Sequence, residues 1–171
     1  MGSLLPALQC SLCGAAIGAH EPHFRATGDF LPPKDPLRRY ANTPMHWACY
    51  ANWPERPVFA GRYVEAWREA NRRNPFWWAV HDDERVYVAV NPERPIEQAS
   101  VRLRDVGSDI RVPLPRWAEW LADVDRVTPG LQPLEKQALD AVLPMLRERF
   151  PNDHAVVDAI DENEKRTRRA P

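Results

Sequence analysis

Cys10-Ser-Leu-Cys13-Gly14 and His46-Trp-Ala-Cys49-Tyr50 are the two stretches on which the reading of this chain turns. Each holds two metal-donor side chains with two residues between them, and the 32 residues 14–45 separate Cys13 from His46. A Cys-x-x-Cys turn is short enough to aim both sulfurs at one ion. Gly14 behind it supplies the positive φ, or the close backbone approach, that such a turn needs. Thr43-Pro44 ahead of the second pair predicts a helix start, with Thr as cap and Pro at the first helical position. His46 and Cys49 then lie three apart on one face of the first turn, where the helix dipole favours a thiolate.

Three thiolates, one neutral imidazole and a dication sum to a charge of −1. A closed Cys₃His tetrahedron is a structural zinc arrangement, so one structural Zn²⁺ on Cys10, Cys13, His46 and Cys49 is expected. Such binding contributes on the order of 10–16 kcal/mol to folding, enough to decide whether a Pro-rich segment folds at all. The residues leave other readings open. Cys10 and Cys13 can form a redox disulfide, although no βαβ pattern surrounds them. The cysteines can be free, although all three in the chain fall within the two motifs. His20 or His23 can replace His46, although neither has a cysteine three residues away.

The order of a knuckle, a hairpin and then ligands at a helix start resembles a treble-clef zinc finger. More specifically, Cys10-x₂-Cys13-x₃-Ile17…Glu21…Arg25…His46-x₂-Cys49-Tyr50 resembles the poly(ADP-ribose) polymerase-type finger, and the LIM-type finger is a looser match. The stretch from Ile17 to Arg25 is about two residues longer than in that family, and Met45 stands where the family has an aromatic before the histidine. The resemblance covers residues 8–52. It implies a zinc-held fold and, more weakly, binding to DNA ends.

Outward from these motifs, the chain has 171 residues, with 23 Lys and Arg against 24 Asp and Glu; the net charge of −1 marks no partner by sign. Hydrophobic residues make up 44%, with seven Trp, which excludes a disordered chain. The 18 prolines, about twice the usual ~5%, predict short helices and many loops. No apolar run approaches the ~20 residues of a membrane helix, and Met1-Gly-Ser-Leu-Leu-Pro6 lacks a signal-peptide pattern. Three cysteines are too few for a disulfide framework, so a reducing, cytoplasmic setting is expected.

Residues 61–74 predict a helix: Tyr63 and Trp67 lie four apart, Glu69 faces Arg73, and Asn74-Pro75 ends it. Residues 76–80, 86–90, 100–103 and 109–112 are β-branched or aromatic runs, with polar turns between them at Asp82-Asp83-Glu84, Asn91 to Pro95 and Asp105 to Ser108. Val101, Leu103, Ile110 and Val112 alternate with Arg102, Arg104 and Arg111, the pattern of half-buried antiparallel strands. Trp117, Trp120, Leu121 and Val124 then form a helical stripe. Leu134, Ala138, Ala141, Val142 and Met145 form another, with Pro144 kinking or ending that helix, and a last short helix starts at Pro151-Asn152-Asp153. The expectation is an α+β protein: a treble-clef-like zinc lobe over residues 1–58, an α+β unit over 59–160 with helices on one sheet face, and a mobile charged tail over 161–171.

Three functions are weighed. Most favoured is a non-enzymatic zinc platform for another macromolecule, above all a protein, because Trp and Arg anchor interfaces; Trp53 and Trp78 are the tryptophans expected at the surface. The alternative is nucleic-acid binding, above all DNA. Residues 1–80 hold nine Lys and Arg against six acids, and Arg25, Lys34, Arg38, Arg39 and Tyr40 suit a phosphate track with one stacking ring. Arg68, Arg72 and Arg73 would extend it. An enzyme has the least support: no His-x-Glu accompanies the ligands, no Gly-rich phosphate loop or Gly-x-Ser-x-Gly exists, and the acids at 82–84 read as turn residues.

Overall fold

Two short antiparallel ladders organise the N-terminal part. The computed structural model describes residues 8–160, so the expectation of a mobile tail over 161–171 lies outside the described residues. Gln9 bridges Ala16 around the Cys10–Cys13 turn, and Gly14 takes the anticipated positive φ of 76° while its N–H donates to the Cys10 carbonyl. His23–Phe24 (β1) then pairs with Met45–His46 (β2), His23 opposite His46 and Phe24 opposite Met45.

The helix anticipated at Thr43-Pro44 begins later, at Trp47–Ala51 (α1). Residues ahead of it stay extended because Met45 is fully buried and pairs with Phe24. Thr43 Oγ1, instead of capping the helix, donates to the Tyr40 carbonyl at 2.8 Å. His46 is therefore the N-cap residue, and Cys49 lies within the first turn.

Arg56–Arg72 (α2) starts five residues before the anticipated position 61. Pro57 suits a first turn, where the missing N–H has no helical partner in any case, and Phe59 and Ala60 add fully buried surface to the helix. Four strands follow: Trp78–Asp82 (β3), Val86–Asn91 (β4), Gln98–Leu103 (β5) and Ser108–Pro113 (β6). They form an antiparallel meander in the order β3-β4-β5-β6, as the four runs predicted.

The alternation in β5 and β6 misleads in one respect: these strands do not turn one face to water. Val88, Val101, Ile110 and Val112 pack with Trp117, Leu139, Leu146 and Phe150 from the C-terminal helices. Across the other face, Tyr87 and Ala89 meet Val64 and Trp67 of α2. Arg102 is consequently only 2% exposed. Its Nη2 donates to Asp109 at 3.0 Å, and its guanidinium lies 3.4 Å from the Trp67 ring centre. Burial pulls its pKa down to about 10, with Asp109 opposing that shift, so it stays cationic at neutral pH. Asp109 also accepts hydrogen bonds from Ser100 and Arg111.

After a 3₁₀ turn at Leu114–Arg116 come Trp117–Ala122 (α3), Val124–Val127 (α4), Pro133–Asp140 (α5) and Leu143–Arg149 (α6), then a helix over residues 153–160 (α7). Pro144 falls in the first turn of α6, and the preceding helix stops at Asp140. The Trp117 and Trp120 indoles are fully buried, and each satisfies its N–H, on the Phe150 carbonyl (2.7 Å) and on Thr128 Oγ1 (3.0 Å).

The N-terminal part is joined to the sheet through α1. Tyr50 stacks on Phe24 with ring centres 3.8 Å apart, and its hydroxyl donates to the Val106 carbonyl in the β5–β6 turn at 2.7 Å. That turn uses Gly107 at φ 75°, where an added Cβ would lie 3.4 Å from Ala60 of α2. One cluster of buried side chains runs from Cys10 to Ile160 through these contacts. Among the described residues, no helix is long and apolar enough to cross a membrane.

The buried ion pair yields a test of the sheet. Removing Asp109 leaves the Arg102 charge uncompensated, so Asp109→Ala should cost about 3 kcal/mol or more. Arg102→Met, which removes the buried charge, should cost clearly less. Urea unfolding of both variants checks the order; equal losses would show that the pair does not act as argued.

Candidate metal centre

Elements far apart in sequence deliver the four donors. Cys10 and Cys13 come from the knuckle, His46 from the end of β2 and Cys49 from α1. One ligand atom of each lies within 4.8 Å of all the others. His46 Nδ1 is 3.5 Å from Cys13 Sγ and 3.8 Å from Cys49 Sγ. A tetrahedron with metal–sulfur bonds of about 2.3 Å and a metal–nitrogen bond of about 2.05 Å has edges of roughly 3.6–3.8 Å. The two His46–sulfur edges match those that a tetrahedral ion requires, and the remaining donor pairs lie within 4.8 Å.

The surroundings fit the same role. His46 Nε2 donates to the Ala16 carbonyl at 3.2 Å and lies 3.7 Å from Glu21 Oε1. With the proton held at Nε2, Nδ1 is the bare nitrogen that a ligand imidazole must present. Cys10 is buried and receives backbone N–H groups from His46, at 3.4 Å, and from Cys13 and Leu12. Cys13 is exposed, and His46 and Cys49 are half-buried.

Without a cation these groups oppose one another. Burial acts to raise the Cys10 pKa, but the backbone N–H groups outweigh it and bring the thiol down to about 6. Burial and the neighbouring Cys13 and Cys10 sulfurs push Cys49 up to about 11. Contact with the Cys13 sulfur raises the pKa of His46. The cluster thus holds one thiolate readily and resists three, and a dication supplies the positive charge that lets all three sulfurs ionise.

The other donor sets considered from sequence are not assembled. His20 is exposed, and His23 sits in β1 with Nδ1 3.2 Å from the Glu21 carbonyl; neither joins the cluster. The three cysteines are free, not paired in a disulfide.

The six candidate contact residues separate into two groups. Arg25 Nε donates to the Asn42 carbonyl at 2.9 Å, and Arg38 bonds the Leu31 carbonyl and pairs with Asp29 at 2.9 Å, so both hold loops of this chain. Lys34 is exposed. Arg39, Tyr40 and Trp53 instead come together: the Arg39 guanidinium lies 4.7 Å from the Tyr40 ring centre, and the Tyr40 and Trp53 rings are 4.7 Å apart. They line one cleft with Asp35, Glu55, Val58 and Arg62, which sequence reading did not single out. Asp35-Pro36 was the available signal: Asp35 Oδ1 caps the 3₁₀ turn Pro36–Tyr40 by accepting from Leu37 N. Trp78 is exposed as anticipated, at 36%, and Trp53 is half-buried.

Comparison with family models, curated proteins and solved structures finds no match to this chain.

Chelator-treated protein should take up Co²⁺ with a sulfur-to-metal charge-transfer band. Cys49→Ser should weaken that uptake by more than about 100-fold, beyond the 10–100-fold of outer-shell changes, and should expose residues 8–52 first to limited proteolysis. Unchanged uptake would remove Cys49 from the donor set.

Proposed function

We propose that Cys10, Cys13, His46 and Cys49 hold one structural Zn²⁺ and that the chain is a non-enzymatic, intracellular protein-interaction module built on that zinc lobe. The Cys₃His donor set favours zinc over harder or redox-active ions. The order of bridge, hairpin and ligand-bearing helix supports the treble-clef reading. Buried Ile17, Glu21 beside His46 and Arg25 on the Asn42 carbonyl stand at the positions that suggested the poly(ADP-ribose) polymerase-type finger.

The fate of the basic charges carries the choice of partner. Of the nine Lys and Arg in residues 1–80, six have a carboxylate within 4.0 Å: Arg38, Arg56, Arg62, Arg68, Arg72 and Arg73. A surface that tracks phosphates needs its cations free to replace condensed counterions, and only Arg25, Lys34 and Arg39 are left for that. The anticipated extension along α2 is spent on Glu65, Glu69 and Asp82. The sole His–Asp contact of catalytic type among the described residues, His81 to Asp83 at 3.0 Å, is nearly buried with its ring against Phe150, which supports a packing role.

Protein prepared without chelator should carry one zinc per chain by elemental analysis, and well under half an equivalent would refute the zinc assignment. A mobility-shift titration with nicked duplex and single-stranded DNA should show no retention at low salt. Tight retention that falls steeply as salt rises would replace the protein-partner reading with the nucleic-acid one.

A further inference from the structure

The cleft that collects Arg39, Tyr40 and Trp53 has a volume of 360 Å³, within the ~300–1,000 Å³ range of ligand pockets. It lies between the 3₁₀ turn Pro36–Tyr40 and the first turns of α2, and it is not part of the metal centre. We propose that this cleft binds an extended, proline-rich peptide segment with a basic residue beside the prolines. The proposal deepens the protein-interaction reading and rests on it.

Its apolar surface is of the kind that proline rings cover. The Tyr40 and Trp53 rings meet at 60° with centres 4.7 Å apart, forming a wedge, not a stack. Trp53 is backed by Phe59, 5.3 Å away, which holds the indole in place. Val58, in the first turns of α2, is 48% exposed at the rim. A polyproline II segment has no internal hydrogen bonds, so its carbonyls seek donors, and its stiffness lowers the entropy lost on docking into an aromatic groove.

The cleft offers those donors. Among the described residues, the Trp53 indole N–H reaches no acceptor. Tyr40 Oη accepts from Arg39 Nη2 at 2.7 Å, which leaves its own O–H to donate outward. The charges decide between occupants. Asp35 and Arg62 neutralise one another. Glu55 is exposed and has no cation within ion-pair distance among the described residues, while Arg39 keeps its charge with its guanidinium against the Tyr40 ring and hydroxyl. Glu55 attracts a Lys or Arg flanking the prolines, and with two carboxylates against two guanidiniums the cleft has no surplus of positive charge to hold a nucleic-acid strand.

The test follows backbone and indole N–H signals of the zinc-loaded full chain by ¹H–¹⁵N NMR. Three probes are titrated: a lysine-flanked polyproline heptapeptide, a lysine-flanked Gly/Ser heptapeptide and a short oligothymidylate. The proposal expects saturable shifts at Tyr40, Val58 and the Trp53 indole with the polyproline peptide alone. Glu55→Gln should weaken that binding about threefold to fivefold, the scale of an exposed ion pair, and Val58→Lys should weaken it more, with zinc content and thermal melting preserved in both. Equal response to the Gly/Ser peptide overturns the proline assignment while leaving a peptide site and the module reading in place. Response to oligothymidylate at the same residues overturns both. No response to any probe overturns the cleft proposal alone, since the module reading is judged by the mobility-shift result.

Discussion

Four donor atoms drawn within 4.8 Å of one another, from segments separated by 32 residues, are the constraint on which the rest of the molecule depends. The knuckle and the two-residue ladder bury Ile17, Phe24 and Met45, and an ion bound at the four donors would add to what that short segment has to offset its conformational entropy. The consequence extends past the ligands. Cys49 and Tyr50 are neighbours on α1, so the position of the Cys49 sulfur also sets where the Tyr50 ring meets Phe24 and where its hydroxyl reaches the β5–β6 turn. The donor cluster and the sheet are coupled through two adjacent residues.

The sheet converts that anchoring into a continuous core. Covering both faces, with α2 on one side and the C-terminal helices on the other, places a guanidinium where water does not reach. Asp109 and the Trp67 ring then replace part of its hydration, while Nε and Nη1 have no hydrogen-bond partner among the described residues. The same arrangement brings Arg56 and Arg68 of α2 to Asp105 and Asp82, and with Arg72 and Arg73 paired to Glu69 within the helix a locally basic sequence becomes a largely neutralised surface.

Much of this was legible in the sequence because it rests on local chemistry. The clustering of the four donor residues follows from their spacing, Gly14 from the backbone its turn demands, and the meander from β-branched runs divided by polar turns. What escaped notice depends on partners distant in the chain. Thr43-Pro44 carries a good helix-start signal, yet the tertiary demand for Met45 in a ladder overrides it. Arg102 alternates as a surface residue does, and only α2, thirty residues earlier, makes its position interior. The start of α2 was hidden because Pro57 reads as a breaker until its place in the first turn is known. The cleft beside Tyr40 and Trp53 needed the folded chain, since Asp35 and Arg62 meet across α2 and a 3₁₀ turn.

X-ray absorption at the zinc edge of protein purified without chelator addresses the central claim most directly, because it reads the coordination shell itself. Three sulfur neighbours at about 2.3 Å and one nitrogen at about 2.0–2.1 Å are expected. A shell dominated by oxygen, or protein devoid of zinc, would contradict it.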